Sequence, residues 1–496
     1  MSAGAVRLRG SSKPGLVRGM VSPFAIWQFQ VGAASPLTVV VGGLVTTYAT
    51  TRVVGVPLSF PIIGICLGLL SVGYLAVAYR QKHAGAAYAA LAVGLSPATG
   101  VAGGFLALAA YVGLQVALYG LLGVNMAAII GFGTWQAWSW AALFGVALVG
   151  MLRYTLGQYA VAGITMIELV LIAMMAIAAF THPHGGHISV TPLTLHALWP
   201  EQALPGGVFA LTMASFIGFE TGPPYSEEIK NERSVISATV ATVLFLTVFF
   251  TLVAWSMAVW TGPDQIVGAA TDQLPFNILR QYWGPAGSIA ELFLISSVYI
   301  SALSFHNTAN RYVYALARER VLFFSLARVG LSEGHLGGTP WLASLVQSGV
   351  VAVLLAVFQL AGADPIGQMF VWLSSGAAFG LLVLLVGVSI AAVMFFRSGV
   401  GGKENVWVRT ILPIIGAATG GVLAAVIAFN QSTLLNIAPN SAWQWLIPVC
   451  VGLIIASGLL YGLLIKFSTP ERYAEIGRGQ PDPRTEPDYQ LGDIRA

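Results

Sequence analysis

The chain has 496 residues, of which 57% are hydrophobic and only 8% charged, with a mean hydropathy of +0.80. A soluble domain carries roughly 25% charged residues, so the composition excludes a soluble globular protein and points to a polytopic membrane protein. The net charge of +4 implies no nucleic-acid partner; what matters is where the basic residues fall.

Windows of about 20 apolar residues mark bilayer spans. They predict twelve, near 23–51, 57–79, 98–121, 135–153, 157–180, 206–226, 236–260, 286–312, 341–361, 367–396, 411–430 and 443–466. The first is too long for a signal peptide and lacks a small-residue cleavage site, so it reads as a retained helix. Residues 1–22 read as an N-terminal cytoplasmic segment, 23–396 as a ten-helix core and 397–466 as two further helices. The polar tail 467–496 is expected to be disordered. With the N-terminus inside, 21 of the 23 Lys and Arg residues fall on the cytoplasmic side, leaving only Arg52 and Arg280 outside. Twelve spans return the C-terminus to the cytoplasm, and the expected location is the inner or plasma membrane. Cys66 and Cys450 lie in apolar runs and read as small hydrophobes rather than a disulfide or metal pair.

Two spans are interrupted. The first carries Gly32-Ala33-Ala34-Ser35-Pro36 and the sixth Gly218-Phe219-Glu220-Thr221-Gly222-Pro223-Pro224. Irregular backbone at membrane depth survives only where it is buried in protein or lines a wet cavity. The two breaks stand five spans apart. Five is odd, so the second set of five is inverted relative to the first, which predicts an all-α 5+5 inverted repeat with the site at the repeat interface. Past the first break, a half-helix starting near Pro36 would offer free N–H groups and its positive dipole end to a carboxylate, with Ser35 as an added donor. Pro36 itself supplies no N–H. The half-helix ending at Ser215, Phe216 and Ile217 would offer carbonyls to an ammonium. Together the breaks suit a zwitterion.

Intramembrane acids are costly and mark ion or proton pathways by default. Glu168 lies mid-span in the fifth helix and Glu220 in the sixth break, and both are candidates for ion or proton coupling; Glu291 lies nearer an outer, wet edge. Ser301, Ser304 and carbonyls near the first break could instead ligate sodium through oxygen. His182, His184 and His187 sit in a Gly/Pro loop at a spacing unlike a structural zinc site. No nucleotide-binding loop of the Gly-x-x-x-x-Gly-Lys type appears. No cofactor and no metal centre is expected, and no clustered His/Asp/Glu constellation of a membrane enzyme is found.

Several motifs resemble the amino acid–polyamine–organocation (APC) family of transporters. Ser215-Phe216-Ile217-Gly218-Phe219-Glu220 resembles its aromatic-x-Gly-x-Glu break. Glu227-Glu228-Ile229-Lys230-Asn231-Glu232-Arg233 resembles Glu-x-Lys-Asn-Pro-x-Arg, with Glu232 in place of Pro. Ala84-Gly85-Ala86-Ala87-Tyr88 is similar to the Gly-Gly-x-Tyr that leads into span three. Arg311 to Glu319 resembles Arg-x-x-x-Ala-x-x-Asp-Gly, with Glu319-Arg320 in place of Asp-Gly. The resemblance implies the LeuT-type fold with broken helices 1 and 6, and secondary transport of an amino acid or related amine by alternating access. Proton symport is the leading reading; an exchanger, sodium coupling or a non-transporting membrane sensor are the alternatives. Carried over, the substrate-binding positions are Gly32, Ala34, Ser35, Pro36, Ala214, Ser215, Phe216, Ile217 and Gly218. Likeness to arginine/agmatine antiporters adds Gln115 in span three and Phe305 in span eight. Ala214 stands where those relatives have a bulky gating aromatic. Membrane lipids are the other expected partner, and the oligomeric state is left open.

Overall fold

The computed structural model describes residues 22–152, 158–200, 205–227, 233–271, 273–330, 339–399, 404–438 and 441–479. The expected N-terminal segment up to residue 21, the tail beyond 479 and the loop motif at Glu228 to Glu232 lie outside these. The described residues form helices and turns with no β-strand. In chain order the main helices are α1 (Pro23–Ala34), α2 (Val56–Arg80), α3 (Ala86–Gly94), α4 (Pro97–Ile130), α5 (Trp135–Gly150), α6 (Gln158–Thr181), α7 (Pro205–Phe216) and α8 (Arg233–Thr261). They continue as α9 (Leu274–Trp283), α10 (Ala286–Arg318), α11 (Trp341–Leu360), α12 (Leu373–Arg397), α13 (Leu412–Phe429), α14 (Leu446–Ser468) and α15 (Pro470–Glu475).

Among the described residues ten helices are long and apolar enough to cross a bilayer. The other two expected spans take different forms. The one at 135–153 is the 16-residue α5, and the one at 206–226 is the 12-residue α7 followed by two 3-10 turns.

The post of the bundle is α4, which packs against α3, α5, α10, α12 and α14. Its start is fixed by sequence: Ser96 and Thr99 form a reciprocal capping box and Pro97 takes the first helical position. Beyond that it is apolar all round, as a helix enclosed by others must be. In lipid there is no hydrophobic drive between helices, so close packing takes its place. Gly458 and Gly462 of α14 supply that here. A Cβ at either would lie 2.5 or 2.7 Å from the Cα of Ala102 or Ala98 in α4, so only glycine permits this approach.

One end of the bundle gathers basic residues. There Arg80 at the end of α2 pairs with Glu404, and His83 meets Glu319 just past α10 at 2.8 Å. The tail expected to be disordered from residue 467 is folded in its described part. Helix α14 runs to Ser468, α15 follows, and Gly477 and Gly479 dock at this basic end. The sequence there is polar, but its partners are buried acceptors, which composition does not reveal.

Candidate functional site

The first break is a single residue. Ser35 takes the left-handed conformation (φ 52°, ψ 72°), because Pro36 has no N–H and its ring would clash with the carbonyl four residues back. The helix restarts at once through Pro36–Thr38, widens into a π-helical stretch at Val39–Leu44 and ends as Val45–Thr51. The second break is longer. Gly218 has φ 123°, and a Cβ there would stand 2.5 Å from the Ala34 amide nitrogen and 2.8 Å from the Ala33 carbonyl carbon. The two breaks therefore lie backbone against backbone.

Three side chains hold this junction. Glu220 accepts from the Gly218 amide at 2.9 Å and from the Tyr111 hydroxyl at 3.1 Å. Gln30 of α1 donates to the Phe219 carbonyl and, at 2.8 Å, to Thr239 Oγ1, while its own oxygen accepts from Thr242 at 3.0 Å. Ser301 of α10 donates to the Ala33 carbonyl at 2.7 Å. Loose backbone at membrane depth is thus satisfied by buried polar side chains, as it has to be.

Beside the junction is a cavity of about 60 Å³. Its floor is Ala33, Ala34, Ser35, Ser215 and Ile217. One wall is the face Thr38, Val39, Gly42, Gly43 and Thr46, and the others come from Leu114, Leu118, Leu211, Ala214, Ser301, Phe305, Phe370 and Ser374. Among the described residues no ionisable side chain lines it. The carbonyls of Ser215, Phe216 and Ile217 accept no backbone hydrogen bond among the described residues, and Ser215 and Ile217 belong to the lining. At the far end Gly42 faces Phe370, where a Cβ would meet the ring at 3.6 Å.

Six of the expected residues line the cavity: Ala34, Ser35, Ala214, Ser215, Ile217 and Phe305. The others do not. Gly32 faces Thr165 and Ile300, Phe216 stacks obliquely on Phe60 with centroids 5.9 Å apart, and Gly218 seals the junction. Pro36 is buried outside the lining. Gln115 turns back on its own helix: its Nε2 donates to the Tyr111 carbonyl at 3.2 Å and its Oε1 has no partner. Leu114 and Leu118 face the cavity instead. Glu291 pairs with Arg280 at the bundle's other end.

The donors assigned to a substrate carboxylate at the first break are largely engaged within the protein. The Ser35 amide bonds to the carbonyls of Val31 and Gly32, both at 3.1 Å. The next free amide, that of Leu37, faces the carboxyl of Glu168. Glu168 is 1% exposed and so occupies the positive end of the second half-helix itself. Its Oε2 accepts from Ser297 Oγ at 2.7 Å, Ser297 Oγ lies 2.8 Å from Ser35 Oγ, and Ser35 Oγ lies 2.5 Å from Thr38 Oγ1. An unbroken chain of hydroxyls joins the carboxyl to the cavity wall.

Sequence reasoning missed Thr38, Gly42 and Thr46, and likewise Val39 and Gly43. These positions recur every four residues after the break, and the small and polar residues among them trace one face of a helix that faces something other than lipid.

A search of curated proteins finds no match. The sequence pattern of the amino acid permease family matches residues 26–456, which takes in both breaks, the cavity and all but the ends of the chain. The chain belongs to the amino acid permease family, within the APC group its motifs resemble, and is a multi-pass membrane transporter of amino acids with the LeuT-type fold.

Proposed function

We propose that the protein is a proton-coupled importer of small neutral amino acids, working by alternating access with both termini in the cytoplasm of a cell whose inner or plasma membrane holds it. The observation that carries the coupling is the chain Glu168–Ser297–Ser35–Thr38. A hydroxyl has one proton to give. Ser297 donates to the Glu168 carboxyl and Ser35 donates to Thr38, which keeps its own proton to give outward. When Glu168 is protonated it can donate to Ser297, Ser297 to Ser35 and Ser35 to Thr38; when Glu168 is ionised, Ser297 donates to the carboxylate and Ser35 can turn from Thr38 to Ser297. The proton on Glu168 thus decides which way the Ser35 hydroxyl points at the cavity wall, and loading of proton and cargo are linked without direct contact.

The cargo's class follows from the cavity. An uncharged lining favours a solute with no net side-chain charge. A volume of about 60 Å³ lies far below the roughly 300 Å³ at which drug-sized sites begin. Free carbonyls at Ser215 to Ile217 suit the ammonium, and the hydroxyls of Ser35, Thr38 and Ser374 suit the carboxylate. Glu220, held by Gly218 and Tyr111, braces the second break.

One observation favours a second reading. Glu168 Oε1 and Thr165 Oγ1 are both buried with no partner, and Thr165 Oγ1 lies against Gly32 of the first break; such oxygens would also suit sodium as the coupling ion. The test is uptake of labelled amino acids, from glycine to tryptophan with lysine and glutamate included, into proteoliposomes under an inward proton or sodium gradient. Glu168→Gln should abolish proton-driven uptake and spare counterflow. Uptake driven by sodium alone selects the second reading, and exchange without any gradient dependence selects an exchanger.

A further inference from the structure

The basic end of the bundle holds a buried carboxylate that transport chemistry does not use. Glu319 follows α10 directly and is 4% exposed. It accepts from His83 Nε2 at 2.8 Å and from the Tyr88 hydroxyl, which tie it to the α2–α3 connection and to α3. Its other donors come from far along the chain. The Gly477 amide reaches Oε2 at 2.6 Å and the Gly479 amide reaches Oε1 at 2.8 Å.

We infer that residues 470–479 form a strap that latches the basic end of the transport core closed, and that this end opens only when the strap lets go of Glu319. This rests on transport by alternating access and is independent of which ion is coupled.

The strap is shaped for this contact. Gly477 and Gly479 have φ of 81° and 67°, a conformation that turns backbone amides inward as a cradle for an anion and that side chains resist. A Cβ at Gly477 would stand 2.3 Å from Ala92 Cβ, so the segment lies flush on α3. It is held at other points as well: the Gln81 side chain donates to the Gly477 carbonyl, and the Tyr473 hydroxyl accepts from the Ala98 amide at the start of α4 at 3.4 Å. One short segment therefore bridges the ends of α2, α3, α4 and α10. These ends must separate if the cavity is to open on this side. A second lock ties α10 and the α2–α3 connection to the segment after the second break: Arg318 forks onto Glu227 at 2.8 and 2.9 Å, and Glu227 also accepts from the Ala84 amide at 2.8 Å. Glu319 is also a position at which this chain departs from the motif it otherwise resembles, with a longer acid in place of Asp. A longer acid reaches out to a segment that a shorter one would not touch.

The test uses the full chain in proteoliposomes with a cysteine at Ala92, in a background where Cys66 and Cys450 are serine, and a membrane-impermeant maleimide applied to the basic face. Losing one hydrogen bond to a buried charge shifts an open–closed equilibrium about tenfold or more. Gly477→Val and Glu319→Gln should therefore each raise the labelling rate of Ala92→Cys by about that factor and speed counterflow. Gly479→Ala, which perturbs less, keeps the test decisive if Gly477→Val does not fold. Unchanged labelling in folded variants overturns the strap. So does raised labelling with slowed counterflow, because the segment would then be a support rather than a latch. Labelling needs no cargo, so it separates failure of the strap from failure of the transport reading.

Discussion

Replacing Ser297 by Ala removes one oxygen from a site 1% exposed and leaves every apolar contact in place. Glu168 Oε1 has no side-chain partner, so the substitution leaves the carboxyl with the Leu37 amide and cuts it off from Ser35. A hydrogen bond to a charged group contributes about 1.5–3 kcal/mol, and each 1.4 kcal/mol is a factor of ten. The link between Glu168 and the cavity wall should therefore weaken by about one to two decades. Initial rates of gradient-driven uptake in proteoliposomes should fall by a comparable factor, while counterflow at zero gradient stays near wild type. Ser297→Thr, which keeps the hydroxyl, should restore most of the loss. If Ser297→Ala lowers both rates equally, or neither, the hydroxyl chain is packing and not coupling.

The remaining predictions concern the frame around the cavity. Gly218→Ala puts a methyl into the Ala34 backbone at a φ of 123°; strain alone costs roughly 1–3 kcal/mol, and the breaks must part to relieve it. Uptake should be lost and the melting temperature in detergent should fall. Gln30→Leu leaves the Phe219 carbonyl and the Thr239 hydroxyl without their shared donor, at roughly 1–3 kcal/mol for each buried group left unpaired, and should show as a lower melting temperature. Burial would raise the Glu319 carboxyl, but the His83 ring, the Tyr88 hydroxyl and the Gly477 amide override it and hold it at about 2, below its ordinary 4.5. The folded state thus keeps this carboxyl ionised to lower pH than the unfolded chain does. Its contribution, on the order of 3 kcal/mol, is fully present above pH ~4.5 and is lost as pH falls toward ~2. The difference in melting temperature between wild type and Glu319→Gln should shrink as pH falls from about 4.5 toward about 2.

The places where helices stop were legible because they are written in local chemistry: Pro36 cannot continue a helix, and Gly218 can adopt the φ its junction demands. Glu168 stood out because a carboxyl at membrane depth needs a reason. Which way residues face was not legible where the helix gives no phase. Around Gln115, α4 is apolar on every side, so nothing in the sequence says that Leu114 and Leu118 point inward and the one polar residue does not. The half-helix end at Pro36 was expected to face a substrate carboxylate, but the Leu37 amide there faces the carboxyl of Glu168 from α6, more than a hundred residues away. A partner supplied by tertiary structure leaves no trace in local spacing. The same holds for Gly477 and Gly479, whose acceptor lies near the end of α10.

The far end of the cavity is framed by two π-helical stretches, Val39–Leu44 and Pro365–Trp372, which meet where Gly42 faces Phe370. A π turn carries one residue more than an α turn. If either stretch gives up that extra residue, everything beyond it rotates by about 100° and advances by roughly 1.5 Å without loss of backbone hydrogen bonding. The aromatic ring now set against Gly42 would swing off it, and a different row of side chains would take its place. Two walls of the cavity thus each hold one residue that an α-helix would not need.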